Sequence, residues 1–259
     1  MNEQKTTLTA DRVQAEYEKG VQYNTGLGLY EDVSFRFSQW DPNNKEKYIG
    51  TPEQWDEAQG AMKKILDHLN VPYTIGIDEA AFYGPKLDIQ IRNVHGKEDT
   101  LITIQIDQLL AEQFGMEYVD EDGSKRRPYI IHRTSLGCYE RTLALLIEKY
   151  AGAFPLWLAP EQVRVLPISE RQAETVKAVA ERLKAAGLRA EVDLRSEKIG
   201  YKIREAQVQK VPYMLVIGDK EAESGTVSVR SRKEGDVGVQ SVDDFLARAL
   251  REVAEKVIW

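Results

Sequence analysis

The residues with the clearest chemical potential, His132 and Arg141, lie on either side of a short run of small residues in the stretch YIIHRTSLGCYER, residues 129–141. The residues before this run are typical of a β-strand, and those after it predict a helix from Gly137 to about Tyr150. A helix N-terminus beside a guanidinium can bind an anion or a nucleotide. On the residues alone, a structural, hydrogen-bonded histidine is the commoner interpretation of His132. The predicted buried face of the helix consists of Leu143, Leu145, Leu146, Ile147 and Tyr150.

Two strictly alternating stretches, Lys86–Arg92 and Ile102–Asp107, predict an antiparallel hairpin with one apolar face and one polar face. The polar face would present Lys86, Asp88, Gln90, Thr103, Gln105 and Asp107. It would either lie in water, as such faces commonly do, or line a site, and both interpretations stay open here. Gly84 and Pro85 come directly before Lys86 and predict a close approach of the chain at that point.

Composition narrows the class of protein. The 259 residues, with 42% hydrophobic and 30% charged, are enough for about two domains. A formal net charge of -7 argues against a protein that coats phosphates nonspecifically. Three histidines and one cysteine are too few for a convincing self-contained zinc site. Because the sequence shows neither a signal peptide nor an apolar run long enough to cross a bilayer, we expect a cytoplasmic protein.

Other elements of the first half must position these residues. The spacing of apolar residues predicts a helix over about 9–28 and a strand over 33–38. A second helix should begin after Thr51 and run to about His68, because Thr51, Pro52 and Gln54 form an N-terminal capping pattern. Its predicted buried stripe consists of Trp55, Ala58, Met62, Ile65 and Leu66.

The second half alternates strands and helices in the manner of an α/β domain. A stretch rich in small residues and proline, 151–160, predicts a boundary, and we divide the chain into domains 1–155 and 156–259. Strands are predicted at 163–168, 190–193, 213–217 and 226–232, and helices at 169–187, at 199–209 and from 241 onward. The apolar run at 213–217 indicates a central strand covered on both faces.

Basic residues gather in the second half. Lys198, Lys202, Arg204 and Lys210 lie on or near one short helix, while Arg230 and Arg232 point to the same face of one strand. A solvated surface is the commoner interpretation of such a pattern.

Four stretches together resemble one family. HRTSLGCYER, residues 132–141, resembles the third signature motif of class II aminoacyl-tRNA synthetases and is most similar to that of threonyl-tRNA synthetases. AFYGPK at 81–86 resembles the threonyl-tRNA synthetases as well, and DLRSEKIG at 193–200 and GDKE at 218–221 resemble the anticodon-binding domain shared by several class II synthetases. The implied fold is an α+β antiparallel sheet, part of the class II catalytic domain, followed by an α/β anticodon-binding domain with a mixed sheet.

The resemblance also implies roles for single residues in the first half. Lys86 and Arg141 would be catalytic residues that bind ATP. Tyr83, Gln105 and His132 would bind threonine, and His132 would also be one of three protein ligands of a zinc ion. Asp78 and Ala80 stand where the family usually has glycine, at positions that supply no side chain to the chemistry.

In the second half, the resemblance implies that Ser196, Glu221 and Arg230 read the anticodon of threonine tRNA. Ser196 stands where the family often has Asn, so it can donate and accept but cannot make a two-point contact with a base. A carboxylate beside an arginine can distinguish single-stranded bases by their exposed edges.

The implied function is that of a threonine–tRNA ligase, which activates threonine with ATP and magnesium and transfers it to tRNA. Its partners would be threonine, ATP and threonine tRNA, with a homodimer in the full-length enzyme. The family's first and second motifs and the other two zinc ligands are absent, so we expect a shortened chain that is inactive alone. The alternatives are a non-catalytic, synthetase-like module that binds tRNA or regulates, and one half of a split enzyme.

Overall fold

The computed structural model of the chain describes residues 32–134 and 137–258. The chain divides between Leu145 and Leu146 into two compact units, and each is described by itself. The helix predicted over 9–28 lies outside the described residues. No helix within the described residues is long and apolar enough to span a bilayer.

The first unit is built on a five-stranded sheet with the order β2-β1-β3-β4-β7. Its strands are β1 (Val33–Gln39), β2 (Thr74–Ile77), β3 (Lys86–Arg92), β4 (Glu98–Asp107) and β7 (Ile130–Arg133). Neighbouring strands are antiparallel except β1 and β2, which run parallel. A separate small hairpin pairs β5 (Tyr118–Val119) with β6 (Lys125–Arg126). The hairpin predicted from alternation is confirmed as β3 and β4.

Helix α1 (Pro52–His68) confirms the prediction made from its capping residues. Thr51 and Gln54 form a capping box, and the buried residues are the predicted stripe. The Trp55 side chain is fully buried and stacks on Trp40 with ring centroids 5.4 Å apart. A short helix, α2 (Leu110–Gln113), follows β4.

Helix α3 (Tyr139–Tyr150) begins two residues later than predicted, and its buried side also differs. Thr142, Leu145 and Leu146 are buried, whereas Leu143 and Ile147 are 53% and 47% exposed. The buried residues are spaced i, i+3 and i+4, and each exposed one lies about 100° around the helix from a buried neighbour. The prediction that all five apolar residues share one buried face is therefore wrong for Leu143 and Ile147.

The second unit has a mixed five-stranded sheet with the order β12-β11-β10-β8-β9. Its strands are β8 (Val163–Pro167), β9 (Ala190–Val192), β10 (Tyr213–Ile217), β11 (Thr226–Ser231) and β12 (Gly235–Ser241). Its helices are α4 (Ala173–Ala185), α5 (Ile199–Val208), α6 (Asp219–Ser224) and α7 (Val242–Ala254). Strands β8, β9 and β10 are parallel, and β11 and β12 are antiparallel to their neighbours.

The central strand β10 is buried along its whole length, as predicted. Tyr213, Leu215 and Ile217 join the larger apolar cluster, while Met214 and Val216 join a smaller one with Leu166 and Ala206. Successive side chains of a strand point to opposite faces, so an uninterrupted apolar run supplies a core on each side of the sheet. The α/β character of this half is confirmed.

Candidate functional site

A row of side chains crosses four neighbouring strands of the first sheet. Ser38 in β1 pairs with Lys86 in β3, Lys86 pairs with Gln105 in β4, and Gln105 pairs with His132 in β7. Residues directly opposite each other in a sheet project from the same face and lie about 5 Å apart. The structure therefore brings Lys86, Gln105 and His132 together, although the sequence separates them by up to 46 positions.

The loop before Lys86 is held tightly against the end of β4. The Gln108 backbone N–H donates to Tyr83 O and that of Ile106 to Pro85 O, each at 3.0 Å. A Cβ atom added at Gly84 would lie 1.7 Å from the Ile106 carbonyl oxygen, so only glycine fits there. The predicted close approach is confirmed, and it fixes the position of Tyr83.

Tyr83 completes the row. Its hydroxyl donates to Gln105 Oε1, and its ring lies 6.0 Å from the His132 ring, centroid to centroid. Burial, together with the nearby Asp107 charge, raises the pKa of Tyr83. The phenol is therefore protonated at neutral pH and acts as a hydrogen-bond donor.

A buried carboxylate, Asp88, organises the polar face next to Lys86. The Lys86 ammonium Nζ lies 2.6 Å from Asp88 Oδ2, which also accepts from Ser38 Oγ at 3.1 Å. Thr103 Oγ1 donates to Asp88 Oδ1 at 2.9 Å. Asp88 and Gln90 are only 2% and 7% exposed, so the interpretation of this face as a solvated surface is wrong at these two positions.

A second buried carboxylate, Asp107, contacts the histidine. His132 Nε2 lies 2.7 Å from Asp107 Oδ2, and Asp107 Oδ1 accepts from the backbone N–H groups of Leu109 and Leu110. Burial raises the pKa of Asp107, but these hydrogen bonds outweigh it, and the pKa lies below its usual value. Asp107 is therefore ionised at neutral pH.

Arg141 lies in the third position of α3 and faces a cavity of about 330 Å³. Its guanidinium donates to the Thr100 carbonyl oxygen, and Gln105 and His132 line the same cavity. Gly137 has a φ of +66°, and a Cβ atom there would lie 1.8 Å from the Leu101 carbonyl oxygen. The glycine thus allows the chain to turn from β7 toward α3 and bring Arg141 to the cavity.

The three residues expected to read an anticodon lie at different positions along the strands of the second sheet. Ser196 and Glu221 come after the ends of β9 and β10, whereas Arg230 lies within β11. Ser196 is exposed and lines a cavity of about 590 Å³, together with residues of the segments 167–173 and 194–198. Glu221 follows the end of β10, where its Oε2 accepts from the Gly218 backbone N–H at 2.9 Å. Arg230 pairs with Met214, three residues before the end of β10, or about 10 Å along the strand.

Two of the basic residues in this unit are structural. Lys202 is 3% exposed and donates to the Asp193 carbonyl oxygen at 3.2 Å. Arg232 donates to the carbonyl oxygens of Lys210, Ala153 and Phe154, and burial lowers its pKa. The interpretation of these basic residues as a solvated surface is wrong for Lys202 and Arg232. Arg230, by contrast, has a buried Nε atom without a hydrogen-bond partner in the described part of the chain.

Comparison with known proteins identifies both units. Residues 26–150 match the tRNA synthetase class II core domain (G, H, P, S and T), and residues 162–252 match the anticodon binding domain. A threonine–tRNA ligase from Clostridium perfringens is 60% identical over 230 residues, which cover 89% of this chain and 36% of that protein. The chain belongs to the threonyl-tRNA synthetase family. It carries the class II core and the anticodon-binding domain of that family.

Two further relatives support the family. A threonine–tRNA ligase from Listeria monocytogenes is 44% identical over 261 residues, covering 98% of this chain and 40% of that protein. The structure described as the RNA binding domain of threonyl-tRNA synthetase from Cryptosporidium parvum superposes with a TM-score of 0.83 at 32% identity. The superposition covers 93% of this chain and 60% of the Cryptosporidium parvum chain. The chain spans about a third of the length of the curated relatives first matched.

Two departures from the synthetase pattern have structural accounts. Asp78, where the family usually has glycine, has a φ of +64°, a conformation that Asp tolerates better than most residues. Its carboxylate accepts from Tyr48 Oη at 2.7 Å and pairs with Lys47. These two contacts hold the segment before Tyr83 in place. Ala80 is buried in the cluster of Trp40, Tyr48 and Trp55, where a small side chain fits.

The sequence patterns did not assign roles to Asp88 and Asp107. Strand alternation places both on the face of Lys86 and Gln105, which was the available signal. Among the described residues, no group of three or more His, Cys, Asp or Glu could hold a metal ion. His132 therefore has no companion zinc ligands in the part of the chain that the structure describes.

Proposed function

We propose that this chain carries the threonine-activating face and the anticodon-reading domain of a threonine–tRNA ligase. The observation that carries the proposal is the row of Lys86, Gln105 and His132, completed by Tyr83, across adjacent strands of a class II core. The family match supplies the reaction, and the row supplies side chains suited to it. The ligase would act in the cytoplasm.

In the activation step, the threonine carboxylate would attack the α-phosphate of ATP in line with the departing pyrophosphate. Negative charge develops on the phosphate oxygens, and the Lys86 ammonium would offset it. Asp88 holds that ammonium in place before the substrate arrives. Arg141 would lie over the adenine ring by a cation–π contact, and ATP would enter with magnesium.

Threonine would lie against Tyr83, Gln105 and His132. These three offer a phenol, an amide and an imidazole, which can hydrogen-bond the polar groups of an amino acid. A site that hydrogen-bonds a substrate hydroxyl rejects the analogue that lacks it, because its own polar groups are then left unpaired. In a complete zinc site, His132 would be one of three protein ligands. The described residues supply this one alone, so we assign no step to zinc.

In the second unit, Ser196, Glu221 and Arg230 would read the anticodon of threonine tRNA. A carboxylate can accept from a base amino group, and a guanidinium can donate to a base carbonyl. The cavity beside Ser196 has room for one unstacked base.

We further propose that this chain does not complete the ligase reaction alone, because the described residues lack the companion ligands of His132. A partner chain that carries them would be needed. Threonine-dependent exchange of pyrophosphate into ATP tests this proposal. We expect no exchange above background from the purified chain, and robust exchange would refute the dependence on other residues.

Binding to threonine tRNA tests the anticodon assignment. The native tRNA and the same tRNA with a replaced anticodon should be compared across a salt series. We expect a preference for the native anticodon that persists as salt rises, because base contacts carry specificity and phosphate contacts carry the salt dependence. Equal, salt-labile binding of both tRNAs would refute the assignment.

Matched variants on one helix sharpen the tRNA test. Glu221→Gln should reduce the preference about tenfold, the effect of losing one good base contact of about 1–3 kcal/mol. Glu223→Gln removes the same charge from an exposed position two residues along α6 and should leave the preference unchanged. Equal loss in both variants would show a general charge effect.

A further inference from the structure

We infer that Asp107 is a positioning residue that fixes His132 with its proton on Nε2 and its lone pair on Nδ1. The inference concerns the chemical form in which His132 meets a ligand, and it rests on the proposed role of His132 in substrate binding. Neither the family matches nor the sequence motifs assign a role to Asp107.

Asp107 itself is rigidly held. Its side chain is 2% exposed and lies where β4 ends and α2 begins. Oδ1 accepts from the backbone N–H groups of Leu109 at 2.7 Å and Leu110 at 3.0 Å. Backbone N–H groups only donate, so this oxygen acts as an acceptor.

The other oxygen of the same carboxylate determines the tautomer of His132. Oδ2 lies 2.7 Å from His132 Nε2, within the range of a charge-assisted hydrogen bond. An ionised carboxylate has no proton to give, so the imidazole must donate from Nε2. In a neutral imidazole, the nitrogen that remains carries the lone pair. Nδ1 is therefore the atom of His132 that can accept a hydrogen bond or ligate.

This arrangement has a chemical use. A histidine that ligates a metal almost always donates its other N–H to a carboxylate or carbonyl, which fixes the ring and raises the basicity of the ligating nitrogen. The same polarisation strengthens Nδ1 as an acceptor for a substrate ammonium or hydroxyl group. Asp107 would thus prepare His132 for its ligand before the ligand binds.

Nitrogen-15 NMR of the histidine rings in the intact chain tests the inference at a pH where the imidazole is neutral. The chain has three histidines, and His68 and His95 serve as internal references because neither has a carboxylate partner among the described residues. His132 should show one tautomer, protonated at Nε2, with slow exchange of that proton. The two reference rings should average between tautomers.

Asp107→Asn is the decisive variant. The Asn Oδ1 can still accept from Leu109 and Leu110, while its Nδ2 donates toward His132, so the imidazole proton should move to Nδ1. Asp88→Asn removes the other buried carboxylate of the same face and should leave the His132 tautomer unchanged.

Three results would overturn the inference: an Nδ1-protonated ring in the unmodified chain, averaged tautomers there, or an unchanged tautomer in a folded Asp107→Asn variant. The measurement on the unmodified chain decides by itself if that variant does not fold. The assay needs neither substrate nor catalysis. A chain that shows the fixed tautomer but binds both tRNAs equally, with an affinity that falls as salt rises, would therefore refute the proposed function alone.

Discussion

The Lys86 ammonium lies 2.6 Å from the carboxylate of Asp88, and the side chains of this pair are only 23% and 3% exposed. Asp88 also accepts from Ser38 and Thr103, so three donors converge on one buried carboxylate. These contacts orient Lys86. The stability of the fold depends on each of them, because a buried charge that loses its partner is destabilising.

Replacement of Asp88 by Asn should lower the free energy of unfolding by about 2–4 kcal/mol, because the amide leaves the Lys86 charge without a counter-ion in a largely buried site. Urea denaturation measures this change as a shift of the midpoint at constant slope.

A surface pair provides the control for Asp88. Lys63 Nζ and Asp67 Oδ2 are also 2.6 Å apart, but their side chains are 55% and 51% exposed. Asp67→Asn should leave the urea midpoint almost unchanged, since water solvates both charges. Equal costs for the two variants would show that burial of the Lys86 pair contributes little.

The elements of this site were largely predictable from local patterns, but their environment was not. Alternation placed Asp88 on the polar face of β3, and nothing in a two-residue period indicates whether that face meets water or protein. Lys202 followed the pattern of a solvated helix face, yet it is buried against the Asp193 carbonyl oxygen. Burial of these residues depends on contacts made far along the chain.

The separation in sequence between residues that pair in the sheet also limited what could be predicted. The pairing of Asp107 with His132 follows from the register of β4 with β7, whose paired residues are 23 to 29 positions apart. The short elements β2 and α6 carry too few residues to show a period. Helix α1, by contrast, has both a capping box and a long stripe, and its bounds were predicted closely.

Gly84→Ala should be strongly destabilising and should displace Tyr83. The new methyl group would lie 1.7 Å from a backbone carbonyl oxygen, so the loop must move away from β4. We expect a loss of about 3 kcal/mol, at the upper end of overpacking costs. Thermal unfolding measures the loss.

Gly60→Ala serves as the comparison. Gly60 lies inside α1, and among the described residues only the adjoining helix backbone lies within 4 Å of the position that its new methyl group would take, so alanine should stabilise the helix by about 0.5–1 kcal/mol. The prediction for Gly84 is contradicted if both alanine variants unfold at or above the temperature of the parent chain.

Acid should destabilise the second unit partly through Asp193. The hydrogen bonds and charge of Arg195 outweigh burial and hold the pKa of Asp193 below its usual value. A carboxyl group whose pKa is depressed in the folded state contributes stability above its unfolded pKa of about 3.9, and that contribution disappears as the pH falls through the folded pKa. The loss should therefore occur below about pH 4.

Asp193→Asn should lower stability at neutral pH and flatten the dependence of stability on pH in acid. Urea midpoints measured from pH 7 down to about pH 2 provide the test, since the linkage lies below the unfolded pKa of about 3.9. Glu223→Gln, at an exposed position, should leave the shape of the profile unchanged. A profile for Asp193→Asn that runs parallel to that of the parent chain would show that Asp193 has no part in the acid sensitivity.

Arg230 lies in β11 and Arg232 directly follows the end of that strand, so the prediction that both share one strand face is wrong for Arg232, and their contacts also differ. The Arg232 guanidinium donates to three backbone carbonyl oxygens and is half-buried. A lysine cannot reproduce that fork, so Arg232→Lys should cost about 2 kcal/mol of unfolding free energy. It should not change the preference for the native anticodon, measured as the ratio of the two tRNA affinities.

Arg230→Lys should show the opposite pattern. Arg230 pairs with Asp236, with Nη1 and Oδ2 3.4 Å apart, a weak contact whose loss should cost about 0.5 kcal/mol or less. A base contact, however, depends on the planar guanidinium, so the preference for the native anticodon should fall about tenfold, an effect of about 1–3 kcal/mol. If Arg232→Lys alone reduced the preference, the anticodon role would belong to Arg232, and the assignment of Arg230 would be wrong.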